Sequence, residues 1–462
     1  MFTILLDSNS PVSLYEQIYH YLKQEIQTGR LSCGTKLPST RNLASHLSVS
    51  RNTVDMAYGQ LLSEGYIESF PKRGYFVNEI KCLTQICSAN NQKNAKPMLD
   101  SSMYQYDFSP FAVDLAHFPY HTWRQLSKNC FKEDTDLFLL GENQGDDALR
   151  DAIASYLHQS RAVHCSKEQI IVGAGVDYLL KLLSSILGPN QNIAMENPTY
   201  KRAYQIFQES GYTITPIPLD ESGMKVSELN TTNCNISYVT PSHQYPLGII
   251  MPIKRRMELL EWAYSNQDHY IIEDDHDSEF RYKGKPIPSL QGIDLKEKVI
   301  YIGTFSKAIA PAIRVGYIVL PQKLLQRYRE KVGFYSCTVS RIDQAIITEF
   351  ITNGYFERHL NRMRKIYKMK HDLLLSYLKP YKSKLRIYGE NAGLHLVVEL
   401  NTKESEQEIL NKAKQNQIKL YGLSEHFIVI PPDYKPTFLI GYANLPETDI
   451  KDGIKKLLEN LF

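Results

Sequence analysis

The residues best placed to do chemistry lie in Tyr301-Ile302-Gly303-Thr304-Phe305-Ser306-Lys307-Ala308, followed by Arg314-Val315-Gly316-Tyr317. A strand-like run delivers a lysine into apolar surroundings. Burial lowers a lysine's pKa, so its amine can act as a nucleophile and form a Schiff base. The arginine that follows can hold a phosphate bidentately. Upstream, Ile271-Ile272 lead into Glu273-Asp274-Asp275-His276. An acid at the end of a buried strand can ion-pair with a pyridinium nitrogen and keep a ring protonated as an electron sink. Gly173-Ala174-Gly175-Val176 opens a helix with small residues, which bares backbone N–H groups to an anion. Tyr200, at the end of Glu196-Asn197-Pro198-Thr199-Tyr200, can stack on a planar ligand. The pattern GxGxxG is absent, which disfavours a dinucleotide fold.

These residues need a scaffold. From Tyr106 onward, apolar runs such as Ile170-Ile171-Val172, Asn192-Ile193-Ala194-Met195, Ser237-Tyr238-Val239, Tyr270-Ile271-Ile272 and Val299-Ile300-Tyr301-Ile302 alternate with helical patterns. That alternation predicts an α/β domain with a mainly parallel sheet over 106–462. Residues 81–105, KCLTQICSANNQKNAKPMLDSSMYQ, are rich in Asn, Gln, Ser and Lys and read as a linker.

Residues 1–80 form a different module. Leu14, Ile18, Leu22 and Ile26 make one apolar helix stripe, with Ser13 as N-cap. Ser39 caps a second helix to about Leu47. Ser50 caps a third, from Arg51 to about Glu64, which Gly65 stops. Two short strands follow, Tyr66-Ile67-Glu68-Ser69 and Gly74-Tyr75-Phe76-Val77, joined by Phe70-Pro71-Lys72-Arg73. Helices joined by a tight turn and followed by a hairpin describe a winged helix-turn-helix. Arg51 and Asn52, in the first turn of the third helix, suit base edges in a major groove, with Thr53 on a base or phosphate. Ser39 and Arg41 suit phosphate contact. Gly74 lets the wing turn so that Lys72 and Arg73 reach the duplex, Arg73 in the minor groove.

Charge supports this locally rather than globally. The 462-residue chain has 53 basic and 50 acidic residues, net +3, which by itself gives no case for nucleic acid. Residues 26–54, however, carry Arg30, Lys36, Arg41 and Arg51 and no acid. Seven widely spaced cysteines without a CxxC pair argue against a disulfide framework or zinc, and no metal is expected. The amino terminus lacks a basic n-region, and no uncharged run reaches the ~18 residues that span a bilayer. The expected setting is cytoplasmic, without a membrane.

Residues 10–78 resemble the DNA-binding domain of the GntR superfamily, through "PVSLYEQIYHYLKQEIQTGRL", "GTKLPSTRNLA", "LSVSRNTV", "AYGQLLSEGYI" and "RGYFV". Residues 106–462 resemble fold-type I pyridoxal phosphate (PLP) aminotransferases, through "GENQGDDALRDAIASYL", "ENPTY", "TPSHQYPLG", "EDDHDSEF" and "GTFSKAIAPAIRVGY". The fusion resembles MocR/GabR-type transcription regulators, in which the aminotransferase-like half is sensor and dimerisation unit. The resemblance implies that Lys307 binds PLP as a Schiff base. It implies Asp274 on the ring nitrogen and Tyr200 stacked on the ring. It puts Gly175 and Val176 (through backbone), Thr304 and Arg314 on the phosphate. A double-stranded DNA operator and a head-to-tail homodimer are the implied partners.

The departures from the aminotransferase pattern favour a sensor over an enzyme. Tyr245 stands where enzymes carry an Asn on the ring 3-oxygen, and His276 where the family has Tyr. Leu140 replaces a Tyr that reaches the partner's phosphate, and a Leu cannot make that bond. Leu439 falls where enzymes clamp the substrate α-carboxylate with Arg, a contact with no apolar substitute. Arg202 can still receive a carboxylate, whereas Glu425 would repel one. The favoured expectation is a regulator that senses PLP and controls vitamin B6 synthesis or salvage, with weak or absent transaminase activity. An amino-acid-responsive regulator and an active aminotransferase stay open.

Overall fold

The structure of the chain, a computed structural model, describes residues 4, 6–7, 10–79, 104–131, 135–282 and 287–462. The chain divides into two compact units, residues 1–99 and 100–462. The expected linker lies outside the described residues, save residues 104 and 105.

The first unit contains α1 (Leu14–Gln27), α2 (Thr40–Leu47), α3 (Arg51–Ser63) and a hairpin of β1 (Ile67–Phe70) with β2 (Gly74–Val77). Each helix start has a chemical cause. Ser13 donates from N and Oγ to Glu16, Ser39 Oγ accepts from Asn42 N at 3.2 Å, and Ser50 Oγ accepts from Thr53 N at 3.1 Å. A cap of this kind stabilises a helix by about 1 kcal/mol. The predicted stripe holds at Ile18, Leu22 and Ile26, which pack with Val54, Ala57, Tyr58 and Leu61. Tyr19 joins it by sending its hydroxyl 2.6 Å to Glu64, which also pairs with Lys23 at 2.7 Å. Strand β1 runs one residue further than expected, to Phe70, because Phe70 faces Gly74 across the hairpin. The turn is closed by Lys72 in the left-handed region at φ 61°.

The second unit is built on eight strands: β3 (Ile170–Gly173), β4 (Asn192–Asn197), β5 (Thr213–Asp220), β6 (Gly223–Met224), β7 (Ile236–Val239), β8 (Tyr270–Asp275), β9 (Val299–Thr304) and β10 (Gly316–Val319). Their order in the sheet is β3-β10-β9-β8-β7-β4-β5-β6. From β9 to β5 every pairing is parallel, while β10 runs antiparallel to both its neighbours. Strands β3, β7, β8, β9 and β10 are buried along their whole length. That explains why they read as continuous apolar runs rather than alternating ones. A smaller antiparallel sheet orders β11 (Leu385–Tyr388), β12 (His395–Leu400), β14 (Thr437–Gly441) and β13 (Tyr421–Gly422) in that sequence.

The sheet sets where chemistry can happen. Parallel strands align their carboxyl ends, and ligands of open α/β sheets bind outside those ends. The β8–β9 register sets Asp274 beside Ile302 and Asp275 beside Gly303, so Thr304 and the Lys307 loop emerge next to the acids of β8.

Candidate functional site

A cavity of about 240 Å³ opens at these strand ends. Its lining includes Val176, Tyr200, Arg202, Tyr245, Asp274, His276, Thr304, Lys307 and Arg314. Residues far apart in sequence thus meet around one space. Gly175 borders it as well, at φ 87°: a Cβ there would lie 2.6 Å from Arg314 Nη2.

Three successive acids end β8, and alternation separates them. Glu273 accepts from the backbone of Leu290 and Gln291, each at 2.8 Å. Asp275 pairs with Arg161 at 2.7 Å and accepts from Tyr301 at 2.5 Å. Asp274 points the other way. Its Oδ2 accepts from the buried Tyr238 hydroxyl, and its Oδ1 is buried without a hydrogen-bond partner among the described residues. Burial pushes the Asp274 carboxyl up to about 7, against the pull of Tyr238. A lone buried carboxylate oxygen is costly unless a donor meets it.

Lys307 Nζ donates to Pro110 O at 2.9 Å and sits 6.0 Å from the centre of the Phe111 ring. Burial pushes this amine below the usual lysine range, with Asp277 opposing. The loop that carries it is tied at its root: Ser306 N donates to Thr304 Oγ1 at 3.1 Å, and Phe305 N to Val315 O at 2.9 Å. Arg314 ends the loop in the left-handed region, φ 51°, and donates to Ala174 O at 3.2 Å. A non-glycine residue held there stores strain that the surrounding structure must offset. The N-terminus of α4 (Val176–Leu187) faces the same space and adds the positive end of a helix dipole. Tyr200 precedes α5 (Lys201–Glu209), with its ring edge-on to Tyr245 at 5.8 Å.

Four features had no sequence signal. Asp177, in the first turn of α4, lies 3.4 Å from Arg202 and 3.5 Å from Arg314 and so competes for both cations. Phe111 comes from an irregular segment without periodicity. Tyr238 looked like plain strand. Finally, His243, His276 and Asp277 each bring a ligand atom within 4.8 Å of the others. His243 Nδ1 lies 2.9 Å and His276 Nε2 3.2 Å from the same Asp277 oxygen. Burial pushes the Asp277 carboxyl up, but the two histidines prevail and hold it well below the usual carboxylate range. Burial drives His276 down to about 4. The Tyr245 hydroxyl beside them is buried without a partner among the described residues.

In the first unit, Ser39, Arg41, Ser50, Arg51, Asn52, Lys72 and Arg73 are exposed, while Thr53 and Gly74 are half-buried. The Thr53 hydroxyl lies 2.7 Å from Ser50 Oγ, so part of its capacity goes to the cap. Arg73 rests over the rings of Phe70 and Phe76, at 5.5 and 5.6 Å, which fixes its direction at the wing tip.

Two family models match the chain: "Bacterial regulatory proteins, gntR family" over residues 14–77 and "Aminotransferase class I and II" over residues 111–457. The HTH-type transcriptional regulator YdeL of Bacillus subtilis is 41% identical over 98% of both chains. A probable rhizopine catabolism regulatory protein, MocR of Rhizobium meliloti, is 33% identical over 98% of this chain and 95% of its own. The chain belongs to the MocR-type transcription regulators. A further member, the pyridoxine biosynthesis regulator PdxR of Corynebacterium glutamicum, is 32% identical over 86% of this chain and 85% of its own. The second unit also superposes on Pyrococcus horikoshii kynurenine aminotransferase, with TM-score 0.71 and 26% identity, over 78% of this chain and 91% of that one. MocR-type regulators therefore pair a GntR helix-turn-helix domain with an aminotransferase fold, whose cofactor is PLP. The cavity fits that group. Asp274 Oδ1 offers an acceptor for a ring N–H, Lys307 a depressed amine for the aldehyde, and the Gly175–Arg314 cradle room that a Cβ would fill.

Proposed function

We propose that this regulator senses PLP itself and controls genes of vitamin B6 synthesis or salvage. The observation that carries this reading is the pairing of cofactor-facing groups gathered at one cavity with a missing substrate clamp. Asp274 Oδ1 has no hydrogen-bond partner among the described residues, while Leu439, in the place of the clamp, is fully buried among Val397 and Leu423. PLP supplies an electrophilic aldehyde and a ring that withdraws electrons. Lys307 would hold it covalently, Asp274 would keep its ring nitrogen protonated, and Tyr200 would lie against the ring. Gly175, Val176, Thr304 and Arg314 would take its phosphate, with Tyr245 and His276 at the ring oxygen. The named role of PdxR in pyridoxine biosynthesis supports the choice of targets.

In this reading residues 1–80 read DNA, 81–105 join, and 106–462 sense and dimerise head to tail. Ser50, Arg51, Asn52 and Thr53 would face the major groove. Ser39 and Arg41 would hold phosphates, and Lys72, Arg73 and Gly74 would form the wing. The exposed run Phe138, Leu139 and Leu140 and the exposed pair Phe334 and Tyr335 support a subunit interface, since exposed apolar surface of this kind marks protein contacts. PLP can shift the regulator between states only through a difference in its affinity for them.

A second reading, response to an amino acid, is favoured by Arg202 at the cavity wall. Operator binding measured with and without PLP, for the wild type and Lys307→Ala, tests the first. The expected result is a PLP response in the wild type that the variant loses while still binding DNA. An unchanged response in the variant would defeat covalent sensing. Repeated conversion of an amino acid to a keto acid would instead make the chain an enzyme.

A further inference from the structure

Helix α3 carries an acid on the face proposed to meet DNA. The acid-free stretch that holds Arg30, Lys36, Arg41 and Arg51 ends at Asp55, the only acid in α3. The Asp55 carboxylate lies 3.4 Å from Arg51, and the two side chains are 41% and 69% exposed. Helix stability does not account for this placement. A cation in the first turn opposes the helix dipole, and an acid four residues after a base is the weaker order for such a pair. Met56, the next residue, is 48% exposed. The opposite face of α3 buries Val54, Ala57, Tyr58 and Leu61 in the core of the unit. Asp55 and Met56 therefore share a face with Arg51 and Asn52, one turn further along.

From this face we infer that Asp55 and Met56 form a second row of base-reading residues, Asp55 for cytosine and Met56 for the methyl group of thymine. The inference deepens the reading of α3 as the helix in the major groove, proposed above, and rests on it. In that groove guanine and thymine offer a carboxylate only acceptors, and adenine an acceptor beside its donor. Cytosine offers a donor with no acceptor, its N4 amino group. The Asp55 carboxylate is therefore attracted at one base and repelled by the other three, as it is by phosphates. The heads of Arg51 and Asp55, 3.4 Å apart, match one base-pair rise along the duplex. With Arg51 on a guanine, Asp55 meets a cytosine of the adjoining pair. Met56 carries a soft, adaptable apolar side chain, and the apolar contact that a base edge gives in this groove is the thymine C5-methyl.

The test uses the full-length chain and a library of random duplexes, from which bound sequences are enriched and read. The wild type should select a site in which a cytosine adjoins a guanine and a thymine lies close by. Asp55→Ala should lose discrimination at that cytosine by at least about fivefold and keep it at the other positions. Asp55→Asn, which adds a donor beside its acceptor, should admit adenine there. Deoxyuridine in place of thymine removes only the methyl group. In the selected site it should weaken the wild type by about threefold or more and leave Met56→Ala unaffected. An Asp55→Ala chain that still selects the cytosine overturns the inference, and so does a wild type indifferent to deoxyuridine. If the wild type selects no common site, or Arg51→Ala selects the same site unchanged, the groove reading of α3 fails first and takes this inference with it.

Discussion

Arg51 Nε lies 3.4 Å from Asp55 Oδ2, one turn further along α3. The side chain proposed to read base edges therefore has a competing acid on its own helix. Arg51 is largely and Asp55 partly in water, so the pair itself is weak. Asp55→Asn should free Arg51 and tighten binding to random-sequence DNA. Arg51→Ala should weaken specific binding by about 10- to 100-fold while sparing random DNA. Fluorescence anisotropy at fixed salt checks both, and equal losses on the two DNAs would remove Arg51 from base reading.

Gly175→Ala would set a methyl 2.6 Å from the Arg314 guanidinium, at a φ of 87° that alanine rarely adopts. Arg314 must then shift away from the anion site. PLP affinity should fall at least about tenfold with DNA binding retained, read by cofactor titration. Undiminished affinity would show that the cradle does not touch the phosphate.

Acid–base behaviour supplies a third expectation. Burial pushes Glu196, Glu273 and Asp274 each up to about 7. Raised carboxyls contribute stability that is present at low pH and lost as pH climbs through 7. Buried histidines act in the opposite sense. His276 and His426 at about 4 and His395 at about 3 contribute stability above 6.5 that is lost toward those values. Above pH 6.5 the histidine effect is complete and the carboxyls remain. Thermal stability without PLP should therefore fall between pH 6.5 and 8, by on the order of 1 kcal/mol per carboxyl. Asp274→Asn should flatten the slope. A midpoint that rises over this interval would contradict the sign.

Leu140 is 91% exposed, beside Phe138 and Leu139. Leu140→Asp should leave the fold intact and convert dimers to monomers in sedimentation velocity, with cooperative operator binding lost. A variant that sediments like the wild type would move the interface elsewhere.

Much of this could be read from sequence for physical reasons. Continuous apolar runs could be read as buried parallel strands, and the residues after them had to meet at one edge. Lys307, Asp274, Tyr200 and Arg314 were found that way, without distances. Asp177 was not, because an acid in a first helical turn is ordinary for helix-dipole reasons alone. The grouping of His243, His276 and His395 joins three distant segments, which local pattern cannot show. Phe111 lacked any periodic context. In the first unit the helix starts were legible from their serines, whereas the stacking of Arg73 on Phe70 and Phe76 depends on how the hairpin folds back.

Strand β10 runs against β9, so the chain must reverse at the carboxyl edge within residues 305–315. Lys307 and Arg314 therefore belong to one short staple, pinned at both feet by the same two strands. With Lys307 as the proposed covalent anchor and Arg314 as the proposed phosphate grip, the spacing between them is then a property of that staple alone. Domain rearrangement, dimer breathing or bending of an operator can change what surrounds the ligand without stretching the hold on it. Under the proposed function, a regulator built this way can change shape around its signal while keeping it.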